Sequence, residues 1–364
     1  MTELTPRERM ARALRRQPVD RIPAAESFWG NTKKTWVESG HLQDDTNLDA
    51  YFQLDSRGAG WPTMEADLDN LATIVEETEE TKLVRNGNGA YLRYWKHKAG
   101  TPEHVDFEVT DRAGWEEKIK PLLLDRSRLA ERLSLNHYRY VHDYCRKNDL
   151  FFFWTGINVF ELMHPICGHE HLLMGMALDP EWIIDMCTVF TDLTQEMHKT
   201  YFAEVGRPDA IWYYEDMGFK EKPFMSPAMY REMIMPSHKK TCDFAHENDL
   251  PVIMHSCGFI EPLLPHMIEA GIDALQAMEI KAGMDLLRIK KTYGDQIALC
   301  GGLDIRVLET NDLDQVEAML QANLPTVMEG GGYILHSDHS IPPSVNFETY
   351  KYFVDRGREI GTYA

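Results

Sequence analysis

From about residue 150 onward the chain alternates short apolar runs with longer stretches whose apolar residues recur at helical spacing. The runs are FFFWTGI (151–157), AIWYYED (210–216), PVIMHSCG (251–258), IDALQAME (272–279), IALCGGLD (297–304) and GYILHSD (332–338). Between them lie helix-period segments such as Ser226–Glu247 and Asp312–Met328. The first opens on Ser226-Pro227, an N-cap followed by proline in the first turn. Strands that alternate with helices predict a parallel sheet buried on both faces. With Ile22–Ser27 and a weaker run near Tyr51–Asp55 the count reaches about eight units, the number a closed (β/α)8 TIM barrel requires. The rival is an open, doubly wound sheet, which usually carries a glycine-rich phosphate loop. Neither GxGxxG nor GxxxxGK[ST] occurs, so the pattern favours the barrel.

The N-terminal third is less regular. It holds a helical stretch near Pro6–Arg16 and, at Leu83–Lys96, an NGNG sequence ahead of the alternating YLRYW, which predicts a hairpin flap. The expected architecture is one α/β domain, 1–364, a barrel with an N-terminal extension and a flap.

Bulk composition narrows the function. The 364 residues are 43% hydrophobic, ample for a large core, and no run of about 18 apolar residues predicts a membrane span. The amphipathic MTELTPRERMARALRRQ lacks the features of a signal peptide, so a cytoplasmic protein is expected. Six cysteines, at 145, 167, 187, 242, 257 and 300, show no pairing pattern and read as free thiols, one or two of them chemical. A net charge of −20 repels nucleic acid and acidic membranes, which sets both aside as partners.

The most informative stretch is PVIMHSCG. His255 and Cys257 stand two apart near a strand end, and a period of two puts them on one face. In a barrel that face can point into the mouth, where active sites lie. Imidazole and thiolate are ligands that zinc prefers, whereas the bland reading of Cys257 is an inert buried thiol. Other strand ends offer further candidates. Glu215 and Asp216 close IWYYED, and two adjacent carboxylates after an apolar run suit catalysis better than capping. His336, Asp338 and His339 close YILHSDHS; Asp338 is a candidate catalytic acid, and His336 reads first as a core histidine. Cys300 reads as a core thiol, and Asp304 as a substrate-site residue by position alone. Trp154, Trp212, Tyr213 and Tyr214 lie on strands and are first of all core aromatics, but one or two could line a pocket for a ring-shaped substrate, with Trp154 and Tyr213 the expected flat wall.

These residues carry a family resemblance. The stretches TPRERMARALRRQPVDRIP, MGFKEKPFMSPAMYREMIMP, VIMHSCGFIEPLLPHMIEAGIDALQAME, ALCGGLD and GGYILHSDHSIPP make the chain similar, over nearly its whole length, to the uroporphyrinogen decarboxylase superfamily. It looks most like the branch of corrinoid-dependent methyltransferases. The resemblance implies a (β/α)8 barrel. True decarboxylases carry an arginine-rich segment after the first strand, where this chain reads ESFWGNTKKTW. The methyltransferases hold zinc through H-x-C and a second cysteine near the last strand. His255 and Cys257 fit the first two positions, His339 falls where the second cysteine would be, and Glu215 is the fourth candidate ligand. Exchanging a thiolate for imidazole would make the metal more electrophilic, which points to a methoxylated or similarly neutral substrate rather than a thiol. No D-x-H-x-x-G loop occurs, so the cobamide would arrive on a separate corrinoid protein. Two other functions stay open: a decarboxylase-like lyase acting on a ring carboxylic acid, and a non-catalytic barrel that binds a small molecule.

Overall fold

The computed structural model describes residues 3–97 and 101–363. Seven parallel strands form one curled sheet in chain order: β1 (Ser56–Gly58), β2 (Phe151–Ile157), β3 (Ala210–Tyr214), β4 (Val252–Ser256), β5 (Ala274–Ala277), β6 (Ala298–Gly301) and β7 (Tyr333–Ile334). Each apolar run read from the sequence contains one of β2–β7. Helices connect them, as parallel neighbours require. Ser226 caps its helix as anticipated, its Oγ accepting from the amide of Met229 at 3.2 Å, with Pro227 next in line.

The N-terminal strands differ from expectation. Tyr51 ends a short helix, Leu48–Tyr51, and β1 begins only at Ser56. The segment around Ile22–Ser27 is extended and lies between β7 and β1. Leu335 N–H donates to the Pro23 carbonyl at 2.8 Å, Ala25 N–H to Leu335 at 3.0 Å, and Asp55 N–H to Ala24 at 2.8 Å. It is thus held by isolated bridges, not by a continuous ladder. Asp55, wholly buried beneath it, receives Arg9 at 2.6 Å, Arg21 at 2.9 Å and the Ala24 amide at 2.8 Å. A buried carboxylate with three donors ties the N-terminal helix, Pro6–Leu14, to the sheet.

Side chains alternate across the sheet. Phe151, Ala210, Trp212, Ile253, Ala274, Ala298, Cys300 and Ile334 pack together on its inner face, where Cys300 is the buried core thiol expected of it. Trp154, Ile211, Tyr213, Met254, Leu275 and Leu299 face outward into the larger core beneath the helices. The period of two therefore decides which residues can reach a ligand inside the sheet's curl.

The flap is larger than one hairpin. Four antiparallel strands, Ala72–Glu77, Thr81–Asn86, Ala90–Trp95 and Glu103–Phe107, form a separate sheet. Its central turn is the NGNG sequence: Asn86 Oδ1 accepts from the amides of Asn88 and Ala90, and Gly89 takes a positive φ of 75°. The flap docks on the helix Val159–Leu178 at its break, Gly168, where a Cβ would lie 2.5 Å from the Phe107 ring. Among the described residues no helix is long and apolar enough to cross a membrane.

Candidate metal centre

Strands β3 and β4 pair with Tyr214 beside His255. Trp212 and Ile253 face inward, so Tyr214 and His255 do too, and the alternation carried past the strand ends turns Asp216 and Cys257 the same way. These last residues converge. His255 Nε2 lies 3.3 Å from Cys257 Sγ and 3.2 Å from Asp216 Oδ1. Among the described residues, Asp216, His255 and Cys257 form the one group whose potential ligand atoms all lie within 4.8 Å of one another.

The surroundings fix this triad. The side-chain carbonyl of Gln276, on β5, accepts a hydrogen bond from His255 Nδ1, which leaves Nε2 turned toward Cys257 and Asp216. A carbonyl behind the ring is the arrangement that sets a metal-binding histidine's tautomer. The Cys257 amide donates to Asp216 at 2.8 Å, and the Gly258 amide to Glu279 Oε2 at 2.7 Å. Gly258 has φ 79° and a Cβ there would come within 2.2 Å of the Gly218 carbonyl carbon, so the turn that aims Cys257 needs glycine. Burial opposes the charge on His255, but Cys257 and Asp216 facing it outweigh burial and raise its pKa well above the usual value. For Asp216 burial pushes up, but the His255 charge and hydrogen bond pull its pKa down to about 2. Burial raises Cys257 in spite of His255. The donor set is one nitrogen, one sulfur and one oxygen, all from groups suited to zinc.

The structure separates several of the anticipated residues from this centre. Glu215, the alternate neighbour of Tyr214 and Asp216, points outward and is wholly buried. Its oxygens accept from the amides of Phe160 and Glu161 at 2.9 and 3.0 Å, at the start of the helix Val159–Leu178, and from His238 Nε2 at 2.6 Å. His238 Nδ1 in turn accepts from the Tyr230 hydroxyl at 2.8 Å. The acid that comes together with His255 and Cys257 is thus Asp216, expected as a catalytic residue, and not Glu215, expected as a ligand. His339 lies outside the triad, its ring stacked on Trp29 at 6.1 Å with Nδ1 toward the Ser340 carbonyl.

Trp154 and Tyr213, expected to line the substrate space, face the helices instead; Trp154 packs edge-on against His198 at 4.2 Å. Their inward neighbours Phe153, Trp212 and Tyr214 hold the positions they were assigned. Asp338 is buried and acts as a clip, accepting from the amides of Ile280 and Ile305 at 2.8 Å each. Burial still raises its pKa to about 6. Asp304 caps the helix Ile305–Glu309 and pairs with Arg306. His336 is the core histidine expected of it, buried, with Nδ1 donating to the Ser337 carbonyl at 2.7 Å.

Sequence reasoning missed three acids near the centre. Glu279 holds the Gly258 turn. Glu161 pairs with His164 at 2.9 Å. Glu26 lies 3.2 Å from His336, and burial raises its pKa to about 8. Glu26 lies within the short apolar run Ile22–Ser27, and an acid inside such a run was the available signal. A cavity of about 500 Å3 opens beside Cys257 and Asp216, walled by Glu161, His164, His169 and Phe224. The flap closes one side of it through Thr101, Pro102 and His104, at and just before its last strand.

Known proteins are similar to this chain in sequence and fold. The family profile of uroporphyrinogen decarboxylase (URO-D) matches residues 159–360, which include the triad. Methylcobamide:CoM methyltransferase MtbA of Methanosarcina acetivorans is 27% identical over 78% of this chain and 80% of its own length. MtbA of Methanosarcina mazei is 25% identical over 96% and 97%. A solved methyltransferase structure from Methanosarcina mazei superposes with a TM-score of 0.66 at 15% identity, covering 98% of this chain and 99% of that one.

Proposed function

As a member of the uroporphyrinogen decarboxylase family, the chain is an enzyme that we propose moves a methyl group between a small substrate and the cobalt of a corrinoid held by a separate protein. Similarity to two methylcobamide:CoM methyltransferases along most of the chain supports the methyltransferase branch. In this reading the curled sheet and the segment at Pro23–Ala25 make a closed (β/α)8 barrel in one domain, 1–364. We place the enzyme in the cytoplasm, where its six unpaired cysteines would stay reduced.

The observation that carries the proposal is the convergence of Asp216, His255 and Cys257 at adjacent strand ends beside an open cavity. These three residues would hold zinc and leave a fourth position for substrate. Bound there, zinc would serve as a Lewis acid toward the substrate's heteroatom. The chain's own residues orient and shield the site. Gln276 keeps His255 in the tautomer with Nε2 forward, and Glu279 fixes the turn that presents Cys257. The flap and the His164–Phe224 wall limit water on one side, which strengthens every charge interaction inside.

The ligand set bears on substrate. The preference for a methoxylated compound rested on His339 as a neutral third ligand, and His339 stands apart from the triad. With Asp216 in its place, two anionic ligands balance the ion's charge. A substrate thiolate then keeps its electron density, so the geometry favours a thiol over an ether. The test is methyl transfer from a methylated corrinoid protein to thiols, run beside methyl transfer from methoxyaromatics and methylamines to the same protein in its reduced, unmethylated Co(I) form. Transfer to a thiol, lost together with zinc in Cys257→Ser, is the expected result. Full activity of the metal-free protein, or turnover of methoxyaromatics alone, would overturn it.

A further inference from the structure

Among the described residues, Glu161, Asp216 and Glu279 are the acids that line the cavity beside Cys257. Two of them are committed. Asp216 accepts from the Cys257 amide and faces His255. Glu279 accepts from the Gly258 amide and pairs with Lys281 at 3.1 Å. Donors of this kind stabilise the ionised form and make a carboxylate a poor proton acceptor.

Glu161 is different. It accepts from no backbone amide among the described residues, and its polar neighbour is His164, whose Nε2 lies 2.9 Å from Oε2. It is not needed as a cap for its own helix, Val159–Leu178. There Asn158 Oδ1 accepts from the Val159 amide at 3.0 Å, and Glu215 accepts from the amides of Phe160 and Glu161. The Glu161 side chain is 24% exposed against 12% for His164, so the carboxyl is the part of the pair more open to the cavity. His164 is fixed behind it. Its Nδ1 is buried without a partner, and its ring stacks 4.4 Å from His169 and 6.0 Å from His104. Burial, then the neighbouring imidazoles, lowers His169 to about 4, and burial lowers His104 as well, so neither competes with His164 for the carboxyl. Burial raises the pKa of Glu161 above the usual carboxylate range, while His164 holds the rise back and Asp216 and Glu215 add to it. A carboxyl moved toward neutral pH is better matched to proton transfer there than an ordinary one.

We propose that Glu161 is the proton acceptor of the reaction, taking the proton that a substrate thiol gives up before its sulfur receives the methyl group, with His164 as its positioning residue. The S–H bond breaks with its electron pair left on sulfur, and the proton goes to the Glu161 carboxylate. The sulfur pair then forms the S–CH3 bond as the Co–C bond of the methylated corrinoid breaks, the pair of that bond staying on cobalt as Co(I). The proton leaves Glu161 for solvent through the open side of the cavity. The inference deepens the methyl-transfer reading by naming its base, and it rests on that reading for the thiol.

The experiment counts protons. Ethanethiol is titrated calorimetrically into the zinc-loaded full-length protein at pH 7, in buffers of different ionisation enthalpy, which reports the protons released to solvent per thiol bound. Free thiols are largely protonated at that pH. The wild type should release close to none, because Glu161 keeps the proton, whereas Glu161→Gln should release about one. His164→Phe preserves the stack on His169 and removes the group that keeps the buried carboxyl ionised; it should also release about one, and it decides the matter if Glu161→Gln does not fold. Methyl transfer to ethanethiol should fall by about a hundredfold or more in Glu161→Gln, the scale of a lost general base. Transfer to pentafluorothiophenol, already ionised at pH 7, should stay near the wild-type rate. Thiol binding with equal proton release from all three proteins, or an equal fall with both thiols, would overturn this inference alone. A zinc-loaded wild type that binds no thiol would overturn the thiol reading, and this inference with it.

Discussion

At the scale of single residues, one position of alternation separates a candidate ligand from a scaffold. Asp216 and Glu215 are adjacent acids at the same strand end, yet one faces Cys257 and the other faces the helices. The strand period contained this answer, because Trp212, Tyr214 and Asp216 share a face that pairs with Ile253, His255 and Cys257. The same rule moves the aromatic wall from Trp154 and Tyr213 to Phe153, Trp212 and Tyr214. His339 was not legible in this way, because it lies in a loop where no period applies. Glu215 is a structural acid with a full set of donors. Glu215→Gln places an amide N–H₂ against two backbone amides and His238, so unfolding in urea should show a loss of about 2–4 kcal/mol. Zinc content should stay at the wild-type level, whereas loss of zinc with little loss of stability would return Glu215 to the ligand set.

At the scale of elements, the recurrent apolar runs located six of the seven parallel strands and the helices between them. They did so because strands buried on both faces are apolar throughout and must be linked by helices. The N-terminal elements were harder to read. The segment at Pro23–Ala25 is held by single bridges and by Asp55, and β1 is only three residues long, so neither carries a periodic signal. The flap's NGNG turn was legible, but its outer strand, Ala72–Glu77, is exposed at every position and has no buried face to imprint a pattern. The inner and outer faces of the sheet make different demands. Trp154 is 1% exposed and packs among the helices, so Trp154→Ala should cost about 3–5 kcal/mol by denaturant titration. It should leave zinc binding unchanged. A Trp154→Ala protein of normal stability with altered ligand binding would place that side chain inside the site after all.

At the scale of the whole molecule, the sheet surrounds acids kept from ionising. Glu26, ordinarily near 4.5, is raised to about 8 by burial in the folded chain. Between those values the native state holds a proton that the unfolded chain has released. The group's contribution to stability is therefore complete below about pH 4.5 and is lost as pH rises toward 8. Glu26→Gln keeps the shape and removes the titration. The wild-type chain should lose stability relative to Glu26→Gln from pH 5 to pH 8, by an amount on the order of a few kcal/mol. Parallel pH curves for the two proteins would mean that Glu26 ionises freely.

Which side chains would hold the metal is read directly by zinc stoichiometry. Full-length protein, purified with zinc and exchanged into metal-free buffer, is analysed by mass spectrometry for metal per chain, beside Asp216→Ala, Cys257→Ser and His339→Ala. The geometry predicts one zinc per chain in the wild type and in His339→Ala, with loss from Asp216→Ala and Cys257→Ser. Zinc lost from His339→Ala but retained by Asp216→Ala would contradict it.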